Sequence, residues 1–156
     1  MAKSPRLIVV MAVGAALILG SGYDMAASQA RRPHQPTKVV WAGVYTPAQA
    51  ARGKLAYTQY CSRCHREDLS GGQTVMPLNG AAFFDRWHQL TLFDLFAMIQ
   101  SGMPHDHVVF IPKEAARDVV GFLLYENGIP AGDKELSSDI EELADILITR
   151  TPPAPK

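Results

Sequence analysis

Apolar residues in this chain cluster in two ways: one unbroken run near the start, and several stretches with helical spacing. The run covers residues 7–19, after Lys3 and Arg6 and before Gly20, Ser21 and Gly22. Residues 31–38 are polar and rich in proline, which predicts a flexible leader with order beginning near residues 39–45. Thr46 is placed to cap a helix, Pro47 suits its first position, and Gln49 stands where it would close a capping box. That helix is expected to end near Tyr60. Residues 66–90 hold Gly71, Gly72, Pro77 and Gly80 with little apolar periodicity, so they read as loop with at most short helical turns. A second helix is expected from Thr91, with Asp94 three residues on and Leu90 and Leu95 spaced as a hydrophobic staple. It should end at Gly102 in a left-handed stop. A third runs from Pro112 to Asn127 and Gly128, with Val119, Val120, Phe122, Leu123 and Leu124 as its apolar side. A short amphipathic helix over residues 138–148 and a fraying tail over 151–156 complete the chain.

No strand alternation and no internal repeat is evident. The pattern predicts an all-α fold of about four helices with long loops. Its expected parts are residues 1–30, the leader 31–38, a domain over 39–135, a C-terminal helix over 136–150 and the tail 151–156. Loops of this length are uncommon in a compact domain unless something holds them.

Composition narrows the field. At 156 residues the chain has room for one ordinary domain. Its formal net charge of zero excludes the basic profile of a nucleic-acid binder. The basic start, the 13-residue apolar centre and the small residues Ser28 and Ala30 read as a secretory signal cut after Ala30. The rival reading is a retained membrane anchor, although the run is shorter than the ~20 residues a span needs. Cleavage would leave 13 Lys and Arg against 14 Asp and Glu.

The two cysteines lie together in Cys61-Ser62-Arg63-Cys64-His65. Cys-x-x-Cys-His is the attachment motif for c-type haem: two thiols a helical turn apart can each add to a vinyl group, and the next residue turns an imidazole to the iron. A redox dithiol of thioredoxin type would need a βαβ setting that is absent here. Zinc would need a ligand beyond Cys61, Cys64 and His65. A structural disulfide with an accidental histidine is the third rival. A large prosthetic group would also explain how so small a chain supports long loops.

The iron needs a second axial ligand, and Met76, Met98, Met103, His88, His105 and His107 are candidates. Met76 follows His65 too closely to reach the opposite face, and Met98 falls inside the second helix as expected core. Met103 sits at a helix end between Gly102 and Pro104, in a loop able to fold over the distal face. Met/His ligation is associated with electron transfer and raises the reduction potential. His105 and His107 remain rival ligands.

On these residues the chain resembles the class I, single-haem cytochromes c of bacterial type. The likeness runs from Trp41, Tyr45 and Gln49 through Gly53 and Tyr57 to the Cys61–His65 motif. It continues through Asp68, Gly71, Pro77, Gly80, Trp87, the 91–96 segment, Gly102-Met103-Pro104 and the 118–128 segment, covering roughly residues 39–133. The resemblance implies thioethers at Cys61 and Cys64, His65 as proximal ligand and Met103 as distal ligand. It implies that the Pro77 carbonyl accepts the proximal imidazole N–H, and that Gly53 and Tyr57 face the last helix near Phe122. Trp87 would pack on or hydrogen-bond near the haem, or serve as core. Two departures stand out: the loop at residues 105–111 is more basic and bulkier than in relatives, and Ala116 replaces a frequent aromatic.

The function implied is an exported, periplasmic one-electron carrier with a single haem c, and not an enzyme. Its donors would be a dehydrogenase or a bc-type complex and its acceptor an oxidase, met through docking surfaces below about 1,200 Å². Asp139, Glu141, Glu142 and Asp145 form either a docking patch or the wet face of a helix. The alternatives are a haem subunit of a quinoprotein dehydrogenase complex, a gas sensor or peroxidase-like protein with a labile distal ligand, and a membrane-anchored carrier.

Overall fold

The computed structural model describes residues 34–106 and 109–154, so the expected signal segment, the first residues of the leader and His107 lie outside it. In chain order the elements are β1 (Lys38–Val39), α1 (Pro47–Tyr60), α2 (Ser62–His65), α3 (Gly80–Trp87), α4 (Leu92–Gly102), α5 (Lys113–Glu126), α6 (Ile140–Ala144) and β2 (Ile146–Leu147). The architecture is all-α, as the pattern predicts. No helix among the described residues is long and apolar enough to cross a membrane.

The crossing of α1 over α5 is the centre of the fold. Gly53 permits it: a methyl group there would overlap the Asp118 carbonyl oxygen and come within 2.8 Å of Phe122 Cβ. One turn on, the rings of Tyr57 and Phe122 pack with centroids 5.2 Å apart. At the other side of the crossing, Asp118 accepts from Arg52 Nε at 2.9 Å and Arg117 Nη2 at 3.0 Å. Burial pushes the Asp118 carboxyl up, but the hydrogen bonds from Arg52 and Arg117 outweigh it and hold it below its ordinary value. Ala116 is fully buried on α5.

The helix starts follow sequence rules, with one correction. Thr46 Oγ1 accepts from Gln49 N at 3.1 Å, but the Gln49 side chain does not close a capping box. It is fully buried and instead bonds the backbone of Leu136, donating to its oxygen at 3.1 Å and accepting from its nitrogen at 2.8 Å. The α4 start does carry a complete box between Thr91 and Asp94. Gly102 stays within the right-handed helix, and Met103 leaves it in extended conformation, so the expected left-handed stop is not used. A side chain on Gly102 would meet Met98 Sδ at 2.9 Å.

Residues 66–90 are more ordered than their composition predicts, since Gly80–Trp87 forms the full helix α3. Its start is tied to the end of α5, where Asn127 Oδ1 accepts from Gly80 N at 2.8 Å and Asn127 Nδ2 donates to Leu78 O at 3.0 Å. A helix whose first turn is anchored by a distant side chain leaves no local cap to read.

The C-terminal segment packs on the domain. Its helix is only Ile140–Ala144, shorter than the expected 138–148, and it is followed by β2, which pairs in parallel with β1. Leu136, Leu143, Ile146 and Ile148 are buried. Ile148 exchanges backbone hydrogen bonds with Gln89 and Leu90, and Trp41 Nε1 donates to Thr149 O. Thr37 N and Oγ1 both donate to Asp145 at 2.8 Å, so the leader is anchored before its expected end at residue 38.

Gly53→Ala tests the crossing. Alanine favours a helix over glycine by about 1 kcal/mol, but overpacking backbone against backbone costs about 3 kcal/mol. A net loss of about 2 kcal/mol is expected in denaturant unfolding of the holoprotein.

Candidate functional site

The end of α1 delivers the cysteine motif. Cys61 N donates to Tyr57 O at 2.8 Å, and Cys64 N and His65 N both donate to Cys61 O, at 3.1 and 3.0 Å. Cys61 has φ −121° and ψ −34°, which breaks α1 and starts the single turn of α2. Arg66 follows at φ 62°, and its carbonyl accepts from Tyr57 Oη at 2.7 Å. The tyrosine packed on Phe122 therefore fixes the exit from the motif. The two thiols are free, Cys61 partly buried and Cys64 exposed. Burial, with the neighbouring Cys64, pushes the Cys61 thiol up to about 11, so it stays protonated at neutral pH.

His65 is buried, and its Nδ1 lies 3.2 Å from Met76 O. A carbonyl only accepts, so Nδ1 carries the proton and Nε2 keeps its lone pair for a metal. The resemblance put this role on the Pro77 carbonyl; the acceptor is its neighbour, one residue earlier. Burial lowers the imidazole below its ordinary value, opposed by the bond to Met76, so the ring is in the neutral form a ligand requires. The loop that presents Met76 closes on itself: Gly72 N donates to Val75 O and Leu78 N to Leu69 O. Gly71, at φ +67°, lies where any side chain would overlap the Val75 carbonyl.

Met103 follows α4 and packs, partly buried, against the core. Cys64 and Arg63 from the motif and Pro104 and Asp106 from the methionine loop line one cleft, so the second cysteine and the residue after Met103 face the same space. The other candidate ligands sit elsewhere. Met76 contributes its backbone to His65, and its residue is 39% exposed. Met98 is 37% exposed and not the core residue its helix position suggests. His88 and His105 are exposed.

Whether a haem suits these residues can be judged on an orphaned atom. Trp87 is buried, yet its Nε1 has no hydrogen-bond partner. A buried donor left unpaired costs about 1–3 kcal/mol, so an acceptor belongs beside it. A porphyrin carboxylate is such an acceptor. Two unjoined thiols a turn apart, a neutral imidazole with its far nitrogen free, and a thioether on the residue before Pro104, which lines the cleft, make a donor set that fits a covalently held haem. Among the described residues, no group of three or more His, Cys, Asp and Glu side chains is placed to hold a metal ion.

Two features escaped sequence reasoning. One is the Met76 carbonyl, signalled only by its place before Pro77, which biases the backbone to extended geometry. The other is the contact of Arg63 with Asp106, at 2.6 Å between residues far apart in sequence. No local pattern could reveal it.

Residues 48–123 match the family model described as cytochrome C oxidase, cbb3-type, subunit III. No curated protein matches the chain.

The His65 ring should stay neutral through and below the ordinary imidazole range near pH 6.5, and its Nδ1–H should exchange slowly with solvent. Proton NMR of the folded protein across pH checks both.

Proposed function

We propose, from the family match over residues 48–123 and the site geometry, that the protein is a class I c-type cytochrome and acts as an exported one-electron carrier with a single His/Met-ligated haem. Members of this family carry electrons on covalently bound haem and exchange them with redox proteins. The observation that supports the finer reading most is the shared cleft of Cys64 and Pro104, with a buried, neutral His65 on the motif side.

Cys61 and Cys64 would hold the porphyrin through thioethers, each S–H adding across one vinyl group. His65 Nε2 and Met103 Sδ would bind its iron. When bound, the haem iron supplies a one-electron couple between its ferric and ferrous states. The chain's own contribution is to hold those ligands still. The Met76 carbonyl orients the His65 ring, the packed core fixes the start of the methionine loop, and the Trp87 N–H is available to a propionate. Such a site needs no general base and no nucleophile, so the protein is read as a carrier and not an enzyme.

A dehydrogenase or bc-type complex would serve as donor and an oxidase as acceptor. The matched family takes its description from an oxidase subunit, which favours the oxidase side and a second reading as a fixed subunit instead of a free shuttle. The apolar run at residues 7–19 would direct export to the periplasm, as a cleaved signal or a retained anchor. The acidic residues 139–145 are a poor docking patch. Asp139 caps α6, and Asp145 is occupied by Thr37 and Lys38.

Visible spectroscopy of the exported holoprotein tests this reading. The ferric form should show a methionine–iron charge-transfer band, and carbon monoxide should not alter the reduced spectrum at neutral pH. Met103→Ala should abolish the band and admit carbon monoxide. A band that persists in this variant would assign the ligand elsewhere, and rapid carbon monoxide binding by the unaltered protein would favour a sensor or peroxidase-like role.

A further inference from the structure

The geometry points to Arg63 and Asp106 as positioning residues that clasp the methionine loop to the cysteine motif and slow the departure of Met103 from the iron. The inference rests on the His/Met ligation proposed above. The loop over residues 103–111 is held at its two ends. Met103 packs against the core, and at the far end Ile111 is buried with its carbonyl accepting from Gln100 Nε2 at 2.9 Å. Between them His105, Asp106, Val109 and Phe110 are exposed, and residues 105–110 hold no proline to stiffen the backbone. Stiffness must come from a contact.

Arg63 supplies one. Its Nη2 lies 2.6 Å from Asp106 Oδ2, in the short range of a charge-assisted hydrogen bond. The position of each partner gives the contact its meaning. Arg63 stands between the two cysteines, on a turn whose backbone is fixed by the Cys61 carbonyl. With both cysteines attached to a porphyrin, that turn would be the most firmly held segment at the site. Asp106 stands three residues beyond Met103. Arg63 and Cys64 line the same cleft as Pro104 and Asp106, so the pair spans from the segment carrying one axial ligand to the loop carrying the other.

The pair is exposed, with side chains 80% and 40% accessible, so its contribution to global stability is small. A loop opening is a smaller event than unfolding, and a weak tie at its midpoint acts directly on the opening rate. Screening by salt should weaken the tie.

Stopped-flow binding of imidazole to the ferric holoprotein reads this, because the rate at saturating imidazole is limited by methionine departure. Arg63→Gln and Asp106→Asn should each raise that limiting rate about two- to fivefold. The double variant should rise no further than the larger single, and the unaltered protein should quicken with added salt. Melting temperatures should not change. Limiting rates equal to the unaltered protein in either single variant, or a double variant equal to the product of the two, would overturn the clasp while leaving Met103 as ligand. An unaltered protein without the methionine–iron band would overturn both.

Discussion

The close crossing of α1 and α5 at Gly53 is the contact on which the rest of the geometry depends. It brings Tyr57 against Phe122, and Tyr57 in turn holds the Arg66 carbonyl at the exit of the cysteine motif. From there the chain runs through the Gly71 turn to Met76, whose carbonyl sets the proton on His65. A displacement of the two helices by a methyl radius would therefore be passed through Tyr57, the Arg66 carbonyl and the Met76 carbonyl to the imidazole. The buried Asp118 between Arg52 and Arg117 reinforces the crossing electrostatically.

Outside the segment that matches the family, the chain builds a belt of its own. Residues 34–46 and 129–150 meet through β1 and β2 and through Tyr45 Oη donating to Ile129 O, and Gln49 of α1 holds Leu136. The belt crosses the α3–α4 connection at Gln89 and Leu90, directly before the helix that ends at Met103. It braces the start of α4, whose far end leads into Met103, while His105, Asp106, Val109 and Phe110 beyond that end face solvent.

The sequence made the main helices and the motif legible because their signals are local. Thr46-Pro47 and Thr91 with Asp94 mark helix starts by chemistry contained within one turn, and Cys-x-x-Cys-His carries its own stereochemical logic. What stayed hidden depends on distant partners. Gln49 reads as half of a capping box, yet a buried backbone segment 87 residues away offers it two hydrogen bonds at once. The start of α3 is secured by Asn127, not by a residue beside it. The parallel pairing of two-residue strands is too short to leave an alternation. The carbonyl facing His65 was misplaced by one residue because spacing from the motif is a family average, whereas its position here follows from the turn at Gly71.

The central claim is that Cys61 and Cys64 together carry one macrocycle. Mass spectrometry of the exported protein, followed by digestion to the peptide containing residues 61–65, tests it most directly. The account predicts the mass of one haem added to that peptide, with neither cysteine open to alkylation after reduction. Cysteines that alkylate fully, or a peptide joined only by a disulfide, would contradict it.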